Sequence, residues 1–200
     1  MGVVSGVSPP NLPVAPAVYE RRYQDQFANV LRLFFNSITN ELNSPVPHGS
    51  YYDTTTQTNP VADTVNLITY NSVVSQFQIE RGKPTSKIYV ADTGLYNFQF
   101  SAQADKVGGG KATIYIWPRI NGVNVPDSAT KIVIAGPNDE VVPAWNFLLL
   151  MESGDYFELA WQSSDTDVVI LAEPATGNIP GIPSIILTVT WISNYEASSI

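Results

Sequence analysis

Tyr96, Phe98, Phe100 and Ala102 alternate with Asn97, Gln99, Ser101 and Gln103 in mid-chain. A repeat of two puts apolar groups on one face and polar groups on the other, the signature of a half-buried antiparallel strand. Asp92-Thr93-Gly94 ahead of it marks a tight turn after Ile88-Tyr89-Val90-Ala91, and glycine's tolerance of positive φ is the expected reason for Gly94. Three rings on one face predict the anchor of a core between two packed sheets. Similar short apolar stretches predict strands over Val65–Tyr70, Val73–Glu80, Ser86–Ala91, Tyr96–Ala104, Ala112–Ile120, Lys131–Ala135, Ala144–Met151, Tyr156–Trp161, Val168–Ala172 and Ile185–Ile192. Turn signals separate them, among them Asn121-Gly122, Ser153-Gly154-Asp155 and Gly136-Pro137. Many short strands at roughly 8–12-residue intervals predict an all-β sandwich or barrel.

The period changes upstream. Tyr19, Tyr23, Phe27, Val30, Leu31, Phe34, Phe35, Ile38 and Leu42 recur at steps of three and four, with Glu20, Arg21, Asp25, Asn29, Arg32, Asn36 and Glu41 between them. That predicts one amphipathic helix over 18–43, begun near Pro16 and stopped by Ser44-Pro45. Arg21 and Asp25 form an i, i+4 pair, contributing roughly 0.2–0.5 kcal/mol. The aromatic stripe packs either on the chain's own β-domain or on sister chains or another protein. Before it, Pro9, Pro10, Pro13 and Pro16 predict an extended arm over 1–17, reaching ~55 Å if fully stretched. After it, 44–64 has breakers and no period and is expected to be a linker. The β-domain takes 65–193 and a tail 194–200.

Composition narrows the function classes. Charged residues make up only 14% of the chain, below the usual quarter, and the net charge is −8. Without clustered Lys and Arg, nucleic acid is not an expected partner. The absence of cysteine excludes disulfides, thiolate catalysis and cysteine-held metals. The first ten residues lack the basic and apolar regions of a secretory signal, and Gly6 breaks the myristoylation pattern that Gly2 begins. No apolar run approaches the ~20 residues of a membrane span, so no membrane partner is expected.

Gly94-Leu95-Tyr96-Asn97-Phe98, then Ile116-Trp117-Pro118-Arg119-Ile120-Asn121-Gly122, then Leu148–Glu152 joined through Ser153-Gly154-Asp155 to Tyr156–Leu159, and finally Ile185–Trp191, follow one another in the order of a known pattern. The domain resembles the C1q/TNF-like jelly roll, over about 65% of the chain. The resemblance implies a ten-stranded sandwich that forms a homotrimer. Asn97, Gln99, Tyr156 and Glu158 are expected on sheet faces opposite the core, available to a neighbour. The collagen-like stalk or membrane anchor of the animal members has no counterpart here. Leu12-Pro13, Tyr19, Tyr23 and Leu31-Arg32-Leu33-Phe34-Phe35 are similar to a segment that recurs at the start of tailed-phage virion proteins. That second resemblance covers about a sixth of the chain and implies a virion component assembled in the host cytoplasm. Its partner would be the major capsid protein or another virion protein. Tyr19, Tyr23, Phe27, Leu31, Phe34, Phe35, Ile38 and Leu42 are the expected attachment residues. The alternative is a tail fibre or receptor-binding protein, with Tyr51, Tyr52 and Tyr195 contacting a host glycan. A secreted cytokine-like ligand is the remaining rival, opposed by the missing signal.

No enzyme is expected, and no catalytic, cofactor or metal residue is assigned. His48 is the lone histidine, so neither a triad nor a histidine zinc site can be assembled. Gly108-Gly109-Gly110-Lys111-Ala112 lacks the Ser or Thr of a phosphate loop and reads as a hairpin loop. Asp165 and Asp167 would have the chemistry for calcium but read as a solvated loop. Asp139-Glu140 reads as a loop charge pair, and Asp155 as serving its turn. Trp117, Trp145, Trp161 and Trp191 are expected in the core; exposed, they would make a sugar platform.

Overall fold

A computed structural model describes residues 8–194. The chain divides into two compact units, Met1–Val46 and Pro47–Ile200. The first holds helix α1 (Arg21–Leu42). Residues 8–20 ahead of it form neither helix nor strand, as four prolines dictate. The helix starts later than the periodicity predicts, so Tyr19 lies outside it. Residues 1–7 of the arm and 195–200 of the tail lie outside the described residues.

In chain order the second unit forms β1 (His48–Asp53), β2 (Gln57–Thr58), β3 (Asn66–Leu67), β4 (Ser72–Phe77), β5 (Ile79–Arg81) and β6 (Ile88–Val90). Then come β7 (Gly94–Ala102), β8 (Ala104–Lys106), β9 (Ala112–Ile120), β10 (Val123–Asn124) and β11 (Thr130–Ile134). The last are β12 (Glu140–Val141), β13 (Ala144–Met151), β14 (Tyr156–Ser163), β15 (Val168–Ile170) and β16 (Ile185–Ser193). One five-stranded sheet runs β13-β7-β16-β1-β4. The other runs β10-β9-β14-β6-β5, with β11 also beside β9 and β3 beside β14. A small sheet, β12-β8-β15-β2, closes one end. First strand beside last strand, within two layers whose long strands are antiparallel neighbours, makes this an all-β jelly-roll sandwich.

The core forms where the two sheets face each other. Tyr96, Phe98, Phe100 and Ala102 are at most 2% exposed, as their alternation requires. Phe98 of β7 stacks on Phe157 of β14 with ring centroids 4.1 Å apart, joining the layers at their centre. Gln78, at φ 56°, ends β4 and starts β5, and there the chain passes from one sheet to the other. One strand over Val73–Glu80 is thereby corrected to two. Asn121 and Gly122, at φ 51° and 78°, supply the doubly left-handed turn that a two-residue hairpin needs.

Two expectations are overturned. The segment 44–64 is not a linker: β1 lies between β16 and β4 in the five-stranded sheet. Its inward positions are Gly49, Tyr51 and Asp53, a set with too little aliphatic character to show a period. Tyr51 is fully buried and donates to the Ile79 carbonyl at 2.6 Å. Gly94 is not at positive φ. It is required because a Cβ there would come within 2.4 Å of Trp191 Nε1 and 2.7 Å of the Ser193 carbonyl.

Phe98→Ala removes the ring on which the layers meet and is expected to cost about 3–5 kcal/mol of unfolding free energy in urea titration. Val74→Ala, at a position 69% exposed on edge strand β4, is expected to stay within about 0.5 kcal/mol of the parent.

Candidate functional site

Helix α1 gathers its apolar side chains as the periodicity predicts. Tyr23, Phe27, Val30, Leu31, Phe34 and Ile38 form a half-exposed ridge, with Phe35 and Leu42 more than half exposed on its flank. Tyr23 and Phe27 rings stack at 6.1 Å, and Phe34 and Phe35 lie 5.8 Å apart. No described side chain of the helix is buried. The Arg21–Asp25 pair forms at 3.9 Å, but both ends are exposed, so it contributes little.

The outer face of the five-stranded sheet is a second unusual surface. On β7, Asn97 stands opposite Leu148 of β13 and Thr190 of β16, and Gln99 opposite Asn146 and Thr188. Leu95 faces Leu150, and Ser101 faces Ala144 and Ile186. No Asp, Glu, Lys or Arg occupies any of these positions. Leu148 is 59% exposed, Leu150 48% and Ile186 43%. Asn146 donates to Asn97 at 3.0 Å, which ties the amides to each other and leaves the aliphatic groups to solvent.

The four sheet residues expected at one interface do not share a face. Asn97 and Gln99 belong to the five-stranded sheet, Tyr156 and Glu158 to the other. Tyr156 lies beside Tyr89 with ring centroids 5.5 Å apart and planes tilted by 53°, and with Lys87 Nζ 3.9 Å over its ring. The bond to Tyr156 pushes the Lys87 ammonium's pKa up. Glu158 is buried at 3% exposure and so is not available to a neighbour. Its Oε1 accepts from Ser86 at 3.3 Å and its Oε2 lies 3.9 Å from Arg119, which also donates to the Gly122 carbonyl. A carboxylate so deep needs these partners, and that demand holds it inside.

Among the aromatic candidates, Tyr51 is sealed in the core, Tyr52 is half-buried and Tyr195 lies outside the described residues. Trp161 is core, Trp117 is 9% exposed, and Trp145 and Trp191 pack partly buried against the core. Asp155 locks its turn, accepting from Asn121 at 2.6 Å and from the Glu152 amide at 2.8 Å. Asp139 accepts from the Ala135 amide at 2.8 Å, and His48 Nε2 lies 2.9 Å from Ser75 Oγ.

Asp165 meets an ammonium group, and Asp167 supports that carboxylate through its backbone amide. Lys106 has a fully buried side chain whose Nζ donates to Asp165 Oδ2 at 2.6 Å, while the Asp167 amide donates to Asp165 Oδ1 at 3.0 Å. Gly109, at φ +72°, passes so close that a Cβ would lie 3.2 Å from Lys106 Nζ and Asp167 Oδ2. The glycine run is thus a β8–β9 connection that lies over an ion pair. No helix N-terminus follows it to cradle phosphate. Among the described residues no three Asp, Glu or His stand where a metal would take them together.

No family model and no curated protein matches the chain. Among solved structures the chain is similar to the globular domain of zebrafish complement 1qA protein, at 14% identity and a TM-score of 0.45, over 74% of this chain and 99% of that one. It is also similar to Eiger TNF from S. frugiperda, at 8% identity and 0.46, over 78% and 99%.

The periodicity did not point to Lys106, Ser86 or Arg119, because a single buried cation or hydroxyl leaves no repeat in a sequence. The charge-free face was legible: Ala144–Met151 and Ile185–Ser193 contain no charged residue on either face.

The hydrogen bond from the Asp167 amide, and then the bond from Lys106, hold the Asp165 carboxyl below its usual range. A depressed folded-state value contributes stability above the unfolded Asp pKa and loses it as pH falls through the folded value. Asp165→Asn is expected to lower the melting temperature at pH 7, where it leaves Lys106 buried without its counter-charge. Melting curves from pH 2 to 7 should show the gap to the parent narrowing in acid.

Proposed function

We propose that this chain is a non-catalytic virion structural protein of a tailed bacteriophage. In this reading it is a homotrimeric jelly roll of the capsid decoration or cement type, fastened to the particle through α1. The observation that carries the reading is the partly exposed aromatic ridge of Tyr23, Phe27, Leu31, Phe34 and Ile38, with Phe35 and Leu42 more exposed on its flank, in a unit of its own ahead of the β-domain. Burying such a side chain contributes about 1.5–3 kcal/mol, so a handful supplies firm attachment once a complementary groove is offered. The similarity of the N-terminal segment to the leading segments of virion proteins supports the setting. The major capsid protein is the partner, and many copies bridging neighbouring capsid subunits stabilise the shell by binding only its assembled form.

Trimerisation is supported by the charge-free face of β13, β7 and β16. Its aliphatic groups gain from burial, and its amides and hydroxyls can pair across a symmetric contact without desolvating a charge. The trimer thereby presents three helices together, so attachment gains from multivalency.

Phe27→Glu with Phe34→Glu is expected to leave a folded, trimeric protein that joins particles at least about a hundredfold more weakly, since two buried rings contribute about 3–6 kcal/mol. Quantifying the protein on purified particles checks this, and unchanged incorporation rejects attachment through the helix. Leu148→Lys with Ile186→Lys is expected to convert the trimer to a folded monomer in sedimentation velocity. A trimer that persists places the contact elsewhere.

A further inference from the structure

On the outer side of the larger sheet, β9 and β14 set Tyr115 opposite Gln162 and Trp117 opposite Ala160. Trp117 Nε1 donates to Asn124 Oδ1 at 2.9 Å, which fixes the indole. Two turns add Asp63 and Asp127, held at φ 55° and 54°. These residues border an open hollow of about 820 Å³. Among the described residues, the side chains of Asp63, Asp127 and Gln162 have no hydrogen-bond or ion-pair partner. Asn or Gly would serve a left-handed turn position as well as Asp does, so turn geometry alone does not call for a carboxylate at both places.

We propose that this hollow binds an uncharged saccharide of two or three units. Its size lies within the range of roughly 300–1,000 Å³ that small-ligand sites occupy. The Tyr115 ring, with Lys131 Nζ 6.0 Å from its centroid on one side, offers its other side to the C–H face of a sugar ring, two residues along β9 from the indole that Asn124 holds. The two carboxylates accept from hydroxyls, and the amides of Asn124 and Gln162 can both donate and accept. The lining is acidic in a chain of net charge −8, which disfavours sialylated, sulfated or phosphorylated glycans. An ammonium group would use the carboxylates, but it would leave the amide N–H donors idle and most of the volume empty. The inference goes beyond the virion reading and is independent of it: sugar binding can fail while particle attachment stands, and the reverse.

The test uses the full chain on an array of neutral and anionic oligosaccharides. Saturation-transfer NMR and titration calorimetry then follow with the neutral di- and trisaccharides that bind. Asp63→Ala, Asp127→Ala and Tyr115→Ala are each expected to weaken the neutral sugar by about tenfold or more, from lost charge-assisted hydrogen bonds or ring contact. Tyr115→Phe should retain most of the affinity, and Val74→Ala, on the other sheet, all of it. Circular dichroism of each variant guards against misfolding. Three results would overturn the proposal: no neutral saccharide binds; binding ignores all three alanine variants; or tetramethylammonium occupies the site while sugars do not.

Discussion

Phe98 against Phe157 is the contact on which the sandwich closes. One ring comes from the strand that β13 and β16 flank, the other from the strand that β9 and β6 flank. Because both strands are central in their layers, fixing this pair fixes the spacing of the sheets and the face each strand presents. The alternation of β7 then places Tyr96 and Phe100 inward and leaves Asn97 and Gln99 outward. A one-residue slip would reverse both sets. The charge-free outer surface is therefore a consequence of the same register that builds the core.

Among the buried charges of the described residues, Asp53, Glu158 and Lys106 are each held by a specific partner and serve a boundary, whereas one carboxylate oxygen of Asp105 is buried without a hydrogen-bond partner. Asp53 is 2% exposed and accepts from Thr55 and Thr69, so it ties the end of β1 to the following segment. Glu158 ties β14 to Arg119 of β9, and Lys106 ties β8 to the loop before β15. Such pairs add little net stability over apolar replacements, yet losing one partner is costly. They act here as register pins where apolar periodicity is absent. Burial has a related effect on Tyr96, whose hydroxyl pKa is pushed up to about 12, chiefly by desolvation, while it donates to the Asp92 carbonyl at 2.6 Å.

What the sequence disclosed depended on whether a repeat was long enough to detect. β7, β9, β13 and β16 are eight or nine residues long, and their patterns were read with nearly their observed bounds. The helix stripe was equally plain. β1 was missed because its inward side chains are a glycine, a tyrosine and an acid. Gly49 is there because the Tyr51 ring folds back over it, with a Cβ position only 2.3 Å from the hydroxyl. The interface candidates fared unevenly. Asn97 and Gln99 are outward by alternation, whereas Glu158 is drawn in by Ser86 and Arg119, partners remote in sequence that no local pattern announces. The hollow beside Tyr115 was illegible for the same reason, since Asp63 and Asp127 come from turns far apart in the chain, one before β3 and the other after β10.

The two uncovered apolar surfaces differ in a way that assigns them different partners in the proposed reading. The sheet face interleaves leucine and isoleucine with amides and hydroxyls and carries no charge. A surface of that kind tolerates water when free and suits contact with further copies of itself, where the partner's amides are certain to be present. The helix ridge concentrates aromatic rings with almost no polar interruption, and nothing along its own length satisfies it. Its sequence sets Arg21, Arg22 and Arg32 against Asp25 and Glu41, so the helix is close to neutral although the chain as a whole is acidic. A groove that accepts it should therefore be apolar and shaped for aromatic rings. That requirement sets the helix's partner apart from the amide-laced sheet face of a sister chain and, in the proposed reading, directs the search to a different protein.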